Sequence, residues 1–268
     1  MFKHKLKAAA LHLLLSLVVI SFAIGLIVYF WFPNSLVHVS NFREIALLIM
    51  SIDLILGPLL TFVIFKPKKK YLKFDLSAIA TFQSIALAYG LFTLYQAHPV
   101  YIAFNVDRFT LVSAMDAKPE EALRDELKNS KFSSPKIVVA KIPKDKKESS
   151  DLLMDVMDGA PDIEFRPNLY HPFEENISEI LAKSLDPNII FKDDKAQEKL
   201  STFIKKYGKT TADYAYLPLI GGAKDAVWVL DNKTAKPIDV IVVDPWATVA
   251  TNKAKALLLE QGNNTSNN

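Results

Sequence analysis

Three long apolar runs, parted by short polar joints, fill the first third of the chain; beyond them the hydrophobic period shortens. Residues 8–32 are apolar apart from His12, Ser16 and Ser21. Residues 42–65 hold Asp53 near their middle, and residues 74–95 hold Gln83 and Ser84 near theirs. Each run exceeds the ~20 residues that cross ~30 Å of hydrocarbon, so the pattern predicts three membrane helices. The first run is far longer than the ~7–15-residue core of a secretory signal, and no small-x-small site precedes Trp31-Phe32-Pro33. A retained span is expected.

After His98-Pro99 the period falls to two. Ile102, Phe104 and Val106 share one face, and Phe109 and Leu111 follow a phase break at Asp107-Arg108, which predicts a strand with a bulge or bend. Pro119, Glu120 and Glu121 predict a short helix turning Ala122, Leu123 and Leu127 inward. Residues 137–140 read as a buried strand. Residues 151–158 read as a helix with Ser150 as cap and Gly159 as stop. Ile177, Ile180, Leu181 and Leu185 give another helical face. The strongest helical stripe joins Ala196, Leu200, Phe203, Ile204 and Tyr207, with acids at its start, Lys205 and Lys206 at its end and Gly208 beyond. Residues 227–230 and 238–243 flank a polar turn and predict a hairpin. Gly221-Gly222 reads as a turn before it. Asp244-Pro245-Trp246 predicts the start of a terminal helix, and residues 261–268 a polar, disordered tail. The expected architecture is a membrane protein with three N-terminal transmembrane helices followed by a soluble α+β extracytoplasmic domain. It divides into a transmembrane module over residues 1–97, an α+β domain over 98–260 and the tail.

Charge gives this scheme a direction. Residues 1–95 carry nine Lys and Arg against Glu44, Asp53 and Asp75, a net of +6 in a chain whose total is +3, so the remainder is −3. The basicity therefore belongs to the membrane flanks, and the outer part has no basic stripe suited to nucleic acid. Lys3, Lys5 and Lys7 precede the first run, Lys66, Lys68, Lys69, Lys70 and Lys73 fill the second joint, and residues 33–41 hold no lysine. By the positive-inside rule the amino end and the second joint are cytoplasmic, which delivers residue 96 onward to the far side. Tyr29, Phe30, Trp31 and Phe32 mark one outer boundary; Phe92, Tyr95 and Tyr101 mark another. The expectation is a bacterial inner-membrane protein with a periplasmic domain. Cysteine is absent, which excludes disulfide, zinc-thiolate and thiol chemistry.

Asp53 opens Asp53-Leu54-Ile55-Leu56-Gly57-Pro58, an unusual segment for mid-membrane. A central charge costs ~2.5–3.5 kcal/mol on insertion scales, which a protonated or shared carboxyl avoids. Gln83, Ser84 and Ser21 lie at similar depth, so an interhelical polar layer is expected. Gly57 and Pro58 would let a neighbouring helix approach and kink the span. This reads first as packing glue and second as contact with a partner's transmembrane helix; one acid in three helices is too few for a proton conduit. Asp53, Gly57, Pro58, Gln83, Ser84 and Gly90 are the candidate helix-packing or partner-contact residues. No Walker loop, nucleophile elbow, zincin helix or dinucleotide fingerprint appears. The five histidines lack ligand spacing. Asp151, Asp155 and Asp158 fall at the spacing of a wet helix face. No catalytic, metal or cofactor residue is expected.

Trp31-Phe32-Pro33, Asp53 through Leu60, the lysine joint and Asp75-Leu76 bring a family into view. So do Gln83 through Gly90, Pro99-Val100, Asp107-Arg108-Phe109, Leu217-Pro218-Leu219 and Pro245-Trp246. At these positions the chain resembles the TfpX/TfpZ type IV pilin accessory proteins, most densely over residues 31–112. His98 stands where that family carries arginine. The resemblance implies a non-enzymatic, chaperone-like protein of the inner membrane that supports the stability and assembly of the type IV major pilin, with lipids as its surroundings. The other reading is a membrane-anchored periplasmic sensor or small-ligand-binding module.

Overall fold

A computed structural model describes residues 2–130 and 132–246. Among them three helices are long and apolar enough to cross a membrane: α1 (Phe2–Trp31), α2 (Phe42–Ile64) and α3 (Leu72–Ala97). Their outward surfaces are rich in exposed leucine, valine and phenylalanine, as lipid contact demands.

α2 is one helix with a π-turn at its middle, Ile52–Leu56, and Pro58 one residue beyond Gly57. The two features are linked. Pro58 has no N–H, and the Gly57 N–H bonds Ile52 O, five residues back, instead of Asp53 O. The carbonyl of Asp53 thus loses both donors that a helix could offer it.

α3 passes directly into the outer domain. His98 is fully buried at this passage, stacked on Trp31 with ring centroids 4.4 Å apart. The Trp31 indole donates to Phe132 O at 3.3 Å, and Ser134 donates to Phe30 O at 3.1 Å.

The outer domain is built on a seven-stranded mixed sheet. In chain order the strands are β1 (Pro99–Asn105), β2 (Arg108–Ser113), β3 (Lys136–Ala140), β4 (Tyr170–Pro172), β5 (Tyr214–Ile220), β6 (Ala226–Asp231) and β7 (Pro237–Ile241). Their spatial order is β4-β3-β1-β2-β5-β6-β7, with β1–β3 and β2–β5 parallel and the other pairs antiparallel. Side chains alternate between faces as the pleat requires. Ile102, Phe104, Phe109, Leu217, Leu219 and Trp228 form one core with Ile180. Tyr101, Ala103, Val112 and Val138 face the other side, as do Tyr216, Val227 and Val229 further along. There α4 (Lys146–Met157) covers part of one cluster, while a longer helix (Asp194–Tyr207) covers the other. That longer helix starts at the predicted residue, is capped by Asp193, and ends on Gly208 at φ +70.

Several expectations change. The bulged strand at 107–108 is a hairpin turn between β1 and β2. The helix after Pro119 is two 3₁₀ turns, Pro119–Glu121 and Asp125–Leu127, in which Ala122 and Leu127 are buried but Leu123 is 80% exposed. α4 begins five residues before 151, because Asp145 rather than Ser150 accepts from the Lys147 and Glu148 amides. The terminal helix and polar tail fall outside the described residues.

The joint at 33–41 is the largest surprise. It enters the outer core: Leu36 and Val39 are buried in the same cluster as Phe104 and Phe109. Val39 O accepts from the Ala223 amide at 2.9 Å, and a Cβ on Gly221 would lie 2.3 Å from that oxygen. Gly221 is therefore glycine for close approach. Asp239 fastens the same joint, accepting from Ser35, from Lys206 Nζ at 2.8 Å and from the Tyr207 hydroxyl at 2.8 Å. Burial alone would raise this carboxyl, but the donors Lys206, Ser35, Tyr207 and the Val240 amide outweigh it and hold the group at about 2.

Candidate functional site

The residues singled out in α2 and α3 divide between the bundle interior and an open groove. Asp53 is buried, and the Gln83 Nε2 of α3 reaches its Oδ1 at 3.4 Å and its backbone O at 3.5 Å. The second contact answers the carbonyl that the π-turn and Pro58 orphan, which a membrane interior cannot leave to water. Gly57 makes room for it: a Cβ there would lie 2.0 Å from Gln83 Nε2. Gly90 serves the same pair of helices one layer outward, since its Cβ would meet Ile49 Cγ1 at 2.4 Å. Gly57, Asp53 and Gln83 are thus brought together, with Gly90 a layer away against Ile49.

Ser84 and Ser21 are not brought to Asp53; both are exposed. The expected layer contracts to the Asp53–Gln83 pair. A second pair, unread in the sequence, takes its place: His12 Nδ1 of α1 and Thr61 Oγ1 of α2 lie 2.6 Å apart, with Thr61 buried. Periodicity does not say which face of α1 turns toward α2, and His12 fits no ligand spacing.

α1 packs against the half of α2 that follows the π-turn, α3 packs along both halves, and α1 meets α3 near their Trp31 and Tyr95 ends, where the two rings lie 5.7 Å apart. Between them opens a groove of about 450 Å³ whose lining includes His12, Ser16, Asp53, Thr61, Gln83 and Ser84. Apolar walls and a polar floor describe it. Gln83 Oε1 is buried with no hydrogen-bond partner among the described residues. Because Nε2 is drawn to two oxygens of Asp53, the acceptor end of the amide is left within the packed interior. Among the described residues no cluster of three or more His, Asp or Glu side chains is arranged to hold a metal ion.

A fimbrial assembly protein of serogroup I from Dichelobacter nodosus is 26% identical to this chain over 244 residues, 89% of this chain and 95% of its own length. The serogroup E1 protein matches equally, at 26% over 244 residues. The protein of serogroups C1 and C2 is 34% identical over 117 residues, 43% of this chain and 89% of its own length. No family model matches the chain, and no solved structure does.

Proposed function

The chain belongs to the family of fimbrial assembly proteins, and from that premise we propose that it is a non-enzymatic accessory of type IV pilus assembly, chaperone-like, that binds the major pilin in the inner membrane. The lysines of the amino end and of residues 66–73 support a cytoplasmic side for those parts and a periplasmic side for the sheet domain. Alkaline phosphatase fused after Asn105 should be active and fused after Lys70 inactive; an active Lys70 fusion would reverse the topology.

A pilin awaiting assembly, as the resemblance implies, is one apolar helix carrying an outward head. The groove between α1 and α3 carries this reading. It is open, its lining is mostly apolar, and the hydroxyls of half-buried Ser16 and exposed Ser84 offer polar contacts within it. In lipid no hydrophobic force drives helices together, so close packing and a polar contact must supply the attraction. A guest helix here gains both, and leaves when the subunit joins the filament.

The absence of cysteine makes the test direct. Ser84→Cys should cross-link to a cysteine in the pilin helix, whereas Phe22→Cys, on the lipid-facing surface of α1, should not. Deleting the gene should lower pilin level and piliation without changing pilin transcription. Unchanged pilin abundance and surface pili in the deletion strain would end the proposal.

A further inference from the structure

Tyr101, expected to mark an outer membrane boundary, lies elsewhere. Its ring is fully buried in the outer domain, and its hydroxyl donates to Leu127 O at 2.9 Å. A residue far along the chain takes its place. Phe132 lays its ring against Tyr95, near the end of α3, with centroids 5.3 Å apart. Its carbonyl accepts from the indole of Trp31, the last residue of α1. Tyr95 in turn stacks on Phe92, one turn deeper in the span, at 6.4 Å. Phe92, Tyr95 and Phe132 thus form one row of rings that begins on a span and ends on the outer domain. Phe132 is 68% exposed.

The strand directions bring a second residue to this level. β1 leaves α3 directly and β2 returns toward it, so Ala114 N donates to His98 O at 2.9 Å and Met115 N to Gln96 O at 3.1 Å. Met115 is likewise 68% exposed. Two large apolar side chains therefore stand bare beside the last turn of a membrane helix. Their depth is fixed by backbone and ring contacts to that helix.

The position of these side chains decides what covers them. The groove assigned to a guest helix is lined by residues 8–20 of α1 and 76–87 of α3, toward the lysine-rich end of the bundle. Phe132 and Met115 lie at the other end. The surface that continues from them is the lipid-facing one, where Phe92, Tyr29 and Phe30 are exposed on the spans. Aromatic rings gather at the level of the headgroups, and a flexible thioether fits irregular apolar surroundings. We infer that the outer domain rests on the bilayer, with Phe132 and Met115 sunk into the boundary between headgroups and acyl chains of the outward leaflet. This rests on the reading of α3 as a span and is independent of the pilin. A lipid grip beside the α3–β1 passage keeps the sheet from pivoting about it, so the domain meets any partner at one tilt.

The absence of cysteine again makes the test direct. A nitroxide is attached at one position at a time in the full-length protein, held in vesicles of phosphatidylethanolamine and phosphatidylglycerol. Oxygen concentrates in lipid, whereas a nickel chelate stays in water. At Phe132→Cys and Met115→Cys the label should meet oxygen far more than chelate. At Leu153→Cys, on an exposed apolar position of α4, the preference should reverse. Tyr89→Cys, on the exposed surface of α3, marks full immersion, and positions 132 and 115 should fall between it and 153. Chelate access at 132 equal to that at 153 would overturn the inference. So would shielding of 132 from both reagents, the mark of a protein neighbour such as pilin or a second copy. Free chelate access at 89 would take the span reading down as well, whereas immersion at 89 without it at 132 would sink this inference alone.

Discussion

In the membrane bundle Gly57 and Gly90 hold helices together by what they lack, whereas in the outer sheet Phe109, Tyr216 and Trp228 do so by bulk. A Cβ on either glycine would collide with the facing helix, while the buried rings of the sheet meet edge to face, Phe109 and Trp228 at 4.6 Å. Lipid is as apolar as leucine, so burying leucine in the bundle gains little there; close approach and the Asp53–Gln83 contact remain. In water the same burial is the main driving term. An exposed leucine is therefore ordinary on α1 and a signal on α4. Leu153 and Met157 are exposed outside the spans, where lipid does not cover them.

The largest effect should come from the sheet. Trp228→Ala opens a cavity in a core shared with Leu36 and Val39, and truncations of this size cost about 3–5 kcal/mol. The expected outcome is loss of protease resistance in the outer domain with the membrane bundle still inserted. Loss of insertion as well would mean that the two regions do not fold by separable means.

Gly90→Leu comes next, on the bundle side. Ile49 occupies the space, and overpacking a well-filled site costs typically 1–3 kcal/mol. The α2–α3 contact should loosen, read as faster exchange of amides in those helices, while the protease resistance of the sheet domain is kept. Co-purification of pilin may be compared only after that loosening is measured, since Gly90 packs within the chain.

The seam between the regions should respond to acid. Asp239 sits at about 2, below its ordinary value near 3.9. A depressed carboxyl contributes stability that is complete above the unfolded value and lost as pH falls through the folded one. The grip on Ser35 should thus weaken between about pH 4 and 2, seen as new proteolysis within residues 33–41. Asp239→Ala should show that cleavage already at neutral pH. A cleavage profile flat down to pH 2 in the parent protein would remove Asp239 from this role.

Much of this was legible in the residues. The three spans follow from uninterrupted hydropathy, and Asp194–Tyr207 from a stripe with both ends capped. β5 has no counterpart in the sequence pattern, where Pro218 weakens the case for a strand. Tyr216 N donates to Ser184, away from β6, and Pro218 shares its parity. The absent N–H thus falls where β2, which pairs only from Leu219, has not begun. The docking of 33–41 was hidden for another reason: Leu36 and Val39 look like any short joint until the sheet that covers them exists. In the groove, Asp53 and Gln83 were visible as polar exceptions, but the helix rotation that pairs His12 with Thr61 is a tertiary fact.

The smallest effect belongs to the polar pair, and it separates packing from chemistry. Asp53 Oδ1 accepts from Gln83 at 3.4 Å, and an asparagine oxygen can accept in the same place. Asp53→Asn should therefore leave bundle stability and pilin level close to those of the parent. Asp53→Leu removes the side-chain acceptor and leaves Gln83 only the backbone carbonyl at 3.5 Å; the loss should be about 1 kcal/mol, the scale of hydrogen bonds between membrane helices. Gln83→Leu should cost somewhat more, because it abandons that carbonyl to the hydrocarbon as well as the carboxyl. The decisive comparison is pilin level in cells that hold equal amounts of each variant. If Asp53→Asn alone abolished pilin stabilisation at normal abundance and melting temperature, a titrating carboxyl would be required, and the pair would be part of the function rather than the packing.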